Sequence, residues 1–318
     1  MPEITCVGLL TADVVGKPID AFPERGHLAF VERMELHTGG CAANTGIGLA
    51  KLGVDTAIIG KVGSDGFGDF VVRRFQEHGI KADGVVRDHE TATSATMVLV
   101  HADGERSFLH YSGANATLRA EDVDFECVKR SKVLHIAGSQ VLSSFDGAPM
   151  AQLLKEAQAA GVTTALDTVW DPAGRWMEVT GPCLPYVDYF LPSFEEARML
   201  AGGLKTPEEV AQFLLDAGAK VVALKLGSKG CYVRAANGEE VRLSALPVNA
   251  IDALGAGDAF VAGFLVGVVR NWNLEQCAQF ATAVGASCVT ALGATTGICS
   301  FDETLAFLRS FGRAAGME

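Results

Sequence analysis

The stretch DALGAGDAF, residues 252–260, places a carboxylate beside nearly bare backbone at the start of an apolar helix. The first N–H groups of a helix lack intrahelical partners and the helix dipole makes that end positive, so small side chains there let an anion reach the backbone. Gly255–Gly257 therefore predicts a cradle for phosphate oxygens. Asp258 either caps the helix or takes the proton of a hydroxyl that attacks the phosphate. The second role is favoured, because Asp252 can already help close the turn and a phosphate would repel an idle carboxylate.

A second glycine-rich loop, TGGCAANTGIGLAKLG, covers residues 38–53. Gly39 and Gly40 precede a helix with a face of small residues, and Gly53 is a typical helix stop. Asn44 lies one turn into this helix, where asparagine is uncommon because its side chain competes with the backbone for hydrogen bonds. A local cap by Asn44 remains an alternative, but the two glycines leave space beside it, which favours a ligand contact.

Two further loops give weaker indications of a ligand site. LPSFEEARML has Glu196 in a first helical turn, where an acidic residue ordinarily complements the helix dipole. KLGSKGCYV has Gly227 and Gly230 between two strands, which is typical of a turn. The sequence has no G-x-x-x-x-G-K-[ST] loop and no G-x-G-x-x-G after its first strand, which argues against a P-loop enzyme and an ordinary nicotinamide-dependent dehydrogenase.

The elements that must position these loops alternate along the chain. Apolar runs that predict strands cover residues 4–10, 56–62, 132–138, 163–168, 186–192 and 220–227. Helical periods cover residues 41–52, 67–78, 148–160, 207–217, 257–270 and 274–292. Continuous apolar strands separated by helices predict an α/β fold with a mostly parallel sheet covered on both faces. No repeat or linker divides the chain, so residues 1–318 are expected to form a single domain.

Two segments interrupt this alternation. Residues 93–111 read as two strands around a turn at Ala102–Glu105, and residues 12–38 are also strand-like. Because neither segment has a helix to cover it, they predict a small separate sheet. Its exposed face and edges would need cover from substrate, a partner subunit or both.

The composition limits the classes of partner. Of the 318 residues, 49% are hydrophobic, and the formal net charge is −12, which disfavours nucleic acid and anionic membranes as general partners. No run approaches the ~20 apolar residues of a membrane span, and the N-terminus is typical of a first strand rather than a signal peptide. The eight cysteines include no C-x-x-C pair, which predicts reduced, mostly buried thiols in a cytoplasmic protein.

Taken in order, the motifs resemble the ribokinase-like family of carbohydrate kinases, also called the PfkB family. The matching segments are GGCAAN, KVGSDGFGD, GERSF, LPSFEEA, KLGSKG and ALGAGDAF, and ALGAGDAF is highly specific for the family. The resemblance covers nearly the whole chain. It implies a three-layer αβα core with a small β-sheet lid, and transfer of the γ-phosphate of ATP to a hydroxyl, usually of a sugar or nucleoside. It also implies a homodimer joined lid to lid.

The resemblance implies a role for each matching residue. Asp258 would be the general base, and the N–H groups of Gly255, Ala256 and Gly257 would stabilise the transferring phosphoryl group. The residues expected to hold substrate hydroxyls are Asp13, Gly39, Gly40 and Asn44. The residues expected to line the ATP site are Lys225, Gly227, Gly230 and Thr282.

The same resemblance implies two cations. Glu196 would help position Mg²⁺ through water. Asp252 lies where many relatives contribute to a monovalent-cation site, which adds K⁺ to the expected cofactors.

The chain departs from the family pattern at three positions. Ser193 replaces the motif asparagine, Ala253 replaces a threonine, and Thr282 stands where relatives often have asparagine. These changes affect the expected metal and nucleotide contacts and leave Asp258 and its cradle intact. A sugar kinase is therefore favoured. A nucleoside kinase and a non-catalytic sugar- or nucleotide-binding protein remain alternatives.

Overall fold

The computed structural model describes residues 1–102, 105–313 and 316–317. The strands are β1 Ile4–Gly8, β2 Thr11–Lys17, β3 Arg33–Gly39, β4 Thr56–Gly63, β5 Lys81–Asp88, β6 Ala95–Val100, β7 Arg106–Tyr111, β8 Val133–Ser139, β9 Thr163–Thr168, β10 Tyr189–Phe190, β11 Val221–Lys225, β12 Cys231–Ala235 and β13 Glu240–Leu243. The helices are α1 Cys41–Lys51, α2 Gly66–Glu77, α3 Phe125–Lys129, α4 Ala148–Ala159, α5 Met177–Thr180, α6 Phe194–Leu200, α7 Pro207–Asp216, α8 Ala256–Val269, α9 Leu274–Cys288 and α10 Phe301–Ser310.

In the described residues the large sheet has nine strands in the order β13-β12-β11-β10-β9-β8-β1-β4-β5. The strands from β11 to β5 pair in parallel, and β12 and β13 add an antiparallel edge beside β11. β1 and β8 are buried along their whole length, as expected for strands covered on both faces.

Two hydrophobic cores lie on opposite faces of this sheet. Successive strand residues alternate between them: Ile4 and Cys6 of β1 belong to one core, and Val7 belongs to the other. The first core is closed by side chains of α1, α2, α8, α9 and α10, and the second by side chains of α3 to α7. The predicted three-layer αβα architecture is confirmed.

The predicted small sheet is also present. It has the strand order β3-β2-β6-β7, with β2 and β6 parallel and the outer pairs antiparallel. We call these four strands the small sheet. Residues 18–32, which the sequence suggested as strand, form no strand and connect β2 to β3. Of the predicted hairpin turn, Asp103 and Gly104 lie outside the described residues.

Two predicted elements are clearly longer than the observed ones. The strand expected at 186–192 shrinks to Tyr189–Phe190, because Leu184–Tyr186 forms a 3₁₀ turn that contains Pro185. The helix expected to reach 292 ends at Cys288, and the carbonyl of Val289 instead accepts N–H groups of Ile251 and Asp252.

The structure also shows the state of the cysteines and the length of the helices. All eight cysteines are free and five are buried, as predicted. Among the residues that the structure describes, no helix combines the length and the apolar character needed to cross a bilayer.

Candidate active site

The first turn of α8 has the backbone that its sequence predicts. Gly255 precedes the helix in the left-handed region, with φ 74°. A Cβ at this position would lie 2.2 Å from the carbonyl oxygen of Ala294, so a larger residue cannot adopt this turn without a shift. The N–H of Gly257 follows at the helix N-terminus without an intrahelical partner, and the N–H of Ala256 makes a long hydrogen bond to the carbonyl of Ala253 at 3.3 Å. The turn therefore presents donors to an approaching anion.

The carboxylate of Asp258 bonds outside its own helix. Asn44 Nδ2 donates to Asp258 Oδ2 over 2.8 Å. Burial raises the pKa of Asp258, and the hydrogen bond from Asn44 and the charge of Lys225 offset this only in part. These contacts go to residues from other elements, so the simple helix cap considered from the sequence does not describe this side chain.

The two glycines before α1 make room for neighbouring groups. A Cβ on Gly39 would lie 2.0 Å from Asp13 Oδ2, and a Cβ on Gly40 would lie 2.4 Å from the carbonyl oxygen of Leu9. One turn later, Asn44 is 6% exposed. Its Oδ1 is buried and has no hydrogen-bond partner among the described residues. An acceptor in that state suits a ligand hydroxyl.

Asp13 brings a second carboxylate from the small sheet. It is 8% exposed and faces His37 and Thr96 on the adjoining strands. Burial raises its pKa to about 6, a hydrogen bond from Thr96 and the charge of His37 oppose the shift, and the charge of Asp258 adds to it. The structure thus brings Asp13, Asn44 and Asp258 into one polar cluster.

A separate cavity of about 600 Å³ reaches the same helix start. All four residues predicted to line an ATP site border it, namely Lys225, Gly227, Gly230 and Thr282. Ala256 and Gly257 of the α8 turn also line the cavity, and most of its other wall is apolar. Its volume is within the range of small-molecule sites. We call it the α8 cavity.

Asp167, at the end of β9, was not predicted as a site residue. Lys225 Nζ lies 2.9 Å and 2.8 Å from the two carboxylate oxygens of Asp167, and both residues are largely buried. Burial lowers the pKa of Lys225, but the carboxylates of Asp167 and Glu196 outweigh this, so the pKa is raised and the ammonium is retained. Parallel strands end at one edge of a sheet, so an aspartate at the end of a predicted strand was the signal available.

Glu196 closes the first turn of α6. Its Oε2 accepts the N–H of Ser193 over 3.0 Å and the hydroxyl of Thr168 over 3.3 Å, while Ser193 Oγ accepts the N–H of Glu196. This reciprocal capping is the ordinary helix-start role that the sequence allowed. Its charge still reaches Lys225 and Asp258. Ser193, in place of the motif asparagine, acts here as the N-cap.

Asp252 lies apart from the polar cluster and binds the small sheet. Its Oδ1 accepts the N–H of Leu254 over 2.7 Å and pairs with the guanidinium of Arg106, and its Oδ2 accepts the N–H of Gly293 over 2.8 Å. Both oxygens of this buried carboxylate are therefore engaged by N–H donors. That donor set does not suit the K⁺ expected from the sequence.

The fold is similar to that of solved sugar kinases. The ribokinase of Arabidopsis thaliana complexed with ribose and ATP matches with a TM-score of 0.84 and 26% sequence identity, covering 96% of this chain and 98% of that one. The ribokinase of Thermotoga maritima matches with a TM-score of 0.83 and 27% identity, covering 97% of this chain and all of that one. The ribokinase-like fold expected from the motifs is confirmed.

The sequence matches the same group of proteins. The model of the pfkB family of carbohydrate kinases matches residues 1–300. An uncharacterized sugar kinase of Archaeoglobus fulgidus is 30% identical over 257 residues, which cover 79% of this chain and 98% of that protein. The chain therefore belongs to the pfkB family of carbohydrate kinases, and it is an enzyme of the class that transfers phosphoryl groups to alcohol acceptors.

Proposed function

We propose that this protein transfers the γ-phosphoryl group of ATP to a sugar hydroxyl, with Asp258 as the general base. The observation that carries the proposal is the position of the α8 turn. Ala256 and Gly257 line the α8 cavity, and the next residue, Asp258, bonds to Asn44 in the polar cluster. A phosphate donor on one side of the turn and a hydroxyl acceptor on the other would meet at the bare amides.

The transfer needs one proton movement and one substitution at phosphorus. Asp258 takes the proton of the acceptor hydroxyl, whose oxygen forms a bond to the γ-phosphorus while the bond to the bridging oxygen breaks and ADP leaves. The N–H groups of Gly255, Ala256 and Gly257 stabilise the charge on the transferring oxygens, and the ammonium of Lys225 lies beside them. Phosphoryl transfer depends mainly on positioning and electrostatics, so these few groups suffice.

The acceptor is held by the polar cluster. Asn44 Oδ1, buried without a partner among the described residues, supports a hydrogen bond from a substrate hydroxyl. Asp13 offers a second acceptor, and Gly39 and Gly40 leave space beside it. Several hydroxyl-binding groups close to the base favour a polyol such as a sugar. The A. thaliana relative, solved with ribose and ATP, supports both substrate classes.

Carboxylates near Lys225 fit the Mg²⁺ that accompanies ATP. Mg²⁺ usually keeps several waters and takes one or two carboxylates together with substrate phosphates. Of these carboxylates Glu196 is the candidate ligand, through water and Oε1, since Oε2 caps α6 and both oxygens of Asp167 already accept hydrogen bonds from Lys225. When bound, the ion would neutralise charge on the ATP phosphates.

The substrate is tested by measuring ADP release with ketoses, aldoses, sugar phosphates and nucleosides side by side. A sugar should give the highest kcat/KM. A nucleoside as best acceptor would replace the proposal with a nucleoside kinase. Binding of ATP and a sugar without ADP formation from any acceptor would indicate a non-catalytic protein.

The base is tested with Asp258→Asn. Its kcat should fall ~10²–10⁴-fold, as expected for loss of general-base catalysis, while calorimetry should show ATP affinity close to wild type. Asp83→Asn removes an exposed carboxylate on β5 and serves as the matched control. Unchanged turnover in Asp258→Asn would reject the role of this residue.

We also propose that the small sheet joins two copies of the chain. On its face away from Asp13, Leu36, Val14, Met97 and Leu109 form one apolar row across all four strands. Met97 is 52% and Leu109 50% exposed, although exposed apolar rows on a sheet are usually covered. Sedimentation analysis should give a dimer, and Met97→Lys should give a monomer. A monomeric wild type at micromolar concentration would contradict this.

A further inference from the structure

The turn before α8 is tied to the small sheet by one ion pair. Arg106, on β7, pairs through its guanidinium with Asp252 Oδ1. The Asp252 side chain is 6% exposed and that of Arg106 18%. Arg106 shares a sheet face with Val98, since β6 and β7 pair in register. The pair therefore lies between the small sheet and the core.

The groups that contact the carboxylate of Asp252 are hydrogen-bond donors rather than acceptors. K⁺ sites in proteins are built from several oxygens that replace its water shell. Here the N–H groups of Leu254 and Gly293 point at the carboxylate. The nearby carbonyl oxygens of Leu254 and Ala294 face the buried thiol of Cys288, at 3.7 Å and 3.2 Å. A metal cation would have to displace the guanidinium of Arg106 from the carboxylate of Asp252.

We propose that the Arg106 guanidinium is the built-in counter-cation of Asp252, so that the protein needs no monovalent metal ion at this position. Arginine remains charged at all working pH values and its planar fork suits a carboxylate. A buried carboxylate without a counter-charge is strongly destabilising. Arg106 satisfies that need from within the chain.

The same pair makes Arg106 a positioning residue for the anion-binding turn. The carboxylate that holds Arg106 also holds the N–H of Leu254, which is followed directly by Gly255. The place of the small sheet and the shape of the turn are therefore coupled through Asp252. This link does not depend on which sugar is phosphorylated.

The test compares unfolding temperatures in KCl, NaCl and tetramethylammonium chloride at one ionic strength. Wild type should have the same Tm in all three salts, within error. Arg106→Ala should unfold about 5–10 °C lower, the shift expected for an unpaired buried charge in a chain of this size. It should also gain stability from added ethylguanidinium, which wild type should not. Arg33→Ala is the matched control, because Arg33 lies on the same sheet and pairs with Glu35.

A second variant keeps the test decisive if Arg106→Ala does not fold. Arg106→Met combined with Asp252→Asn removes both charges and should be more stable than Arg106→Met alone. Hydrogen exchange gives a local readout: the amides of Leu254 and Gly293 should exchange faster in Arg106→Met and at the wild-type rate in Arg33→Ala.

Two results would overturn the proposal. One is a wild-type Tm that rises in KCl over tetramethylammonium chloride by more than the scatter of replicates. The other is a double variant no more stable than Arg106→Met. Either result would leave the proposed phosphoryl transfer untouched, because none of these measurements involves ATP or a sugar.

Discussion

Asn44 Nδ2 donates a hydrogen bond to Asp258 Oδ2 over 2.8 Å and so joins the first turns of α1 and α8. The amide holds the carboxylate with one end and leaves Oδ1 buried without a partner among the described residues. One side chain can therefore orient the proposed base and contact the acceptor. The pKa of Asp258 therefore depends on the side chain at residue 44.

Asn44→Asp should move the pH dependence of the reaction. Burial already raises the pKa of Asp258, and the proposed general base must be deprotonated to act, so kcat/KM should fall on the acid side below that pKa. A second carboxylate at residue 44 would raise the pKa of Asp258 further, because a neighbouring like charge disfavours the charged form. The acid limb of the kcat/KM profile should shift upward accordingly. Asn237→Asp, in an exposed turn, should leave the limb in place, and an unmoved limb in Asn44→Asp would contradict the link.

Asp13→Asn should stabilise the protein at high pH while weakening acceptor binding. The pKa of Asp13 is raised from 3.8 to about 6, so its contribution to stability is complete below pH 3.8 and is lost as the pH rises through 6. At pH 8 the variant should gain on the order of 1–3 kcal/mol, and below pH 4 the gain should vanish. Thermal unfolding at several pH values measures this.

Asp88→Asn is the control, because its effect on stability should depend on pH in the opposite direction. Backbone N–H groups of Glu90 and Thr91 hold the pKa of Asp88 below its ordinary value, so its stabilising contribution is present at neutral pH and is lost as the pH falls. This variant should be less stable than wild type at pH 8. If the stability of Asp13→Asn and of wild type depended equally on pH, the pKa of Asp13 would not be raised in the folded protein.

Two alanine substitutions should separate folding from catalysis in the α8 turn. Gly255→Ala forces a side chain into φ 74° and against the carbonyl of Ala294, so the free energy of unfolding should fall by more than about 2 kcal/mol. In Gly257→Ala the new Cβ would meet Lys225 Nζ at an ordinary 3.5 Å. That variant should keep its Tm and lose ~10–10³-fold in kcat, because a methyl group would cover the amides. Full activity in Gly257→Ala would contradict the cradle.

Lys225→Met should impair both stability and transfer. It leaves Asp167 buried without its counter-charge, at an expected cost of about 3–5 kcal/mol, and adding Asp167→Asn should restore much of that loss. The kcat of the double variant should nevertheless stay ~10²–10³-fold below wild type, because the cation beside the anion cradle is absent. Lys229→Met, in the exposed turn after β11, is the control. Wild-type kcat in the double variant would remove Lys225 from the mechanism.

Local patterns account for the features that could be predicted. A glycine that must adopt φ 74° and an aspartate three residues later are close in sequence, so the α8 turn can be recognised without its surroundings. The alternation of apolar strands and helices likewise predicts the layers, because burial on two faces imposes continuous apolar runs. The failures occurred where distant groups intervene, as at the end of α9, where the carbonyl of Val289 accepts N–H groups of the turn before α8.

The amino-acid sequence alone determined the fold class, the glycine-rich turn at the start of α8 and most of the residues around it. Only the tertiary structure decided which polar side chains pair, namely Asn44 with Asp258, Asp167 with Lys225 and Arg106 with Asp252. These partners are 214, 58 and 146 positions apart. Strand order and the approach of the small sheet bring them together, and neither is encoded in the spacing or propensity of neighbouring residues.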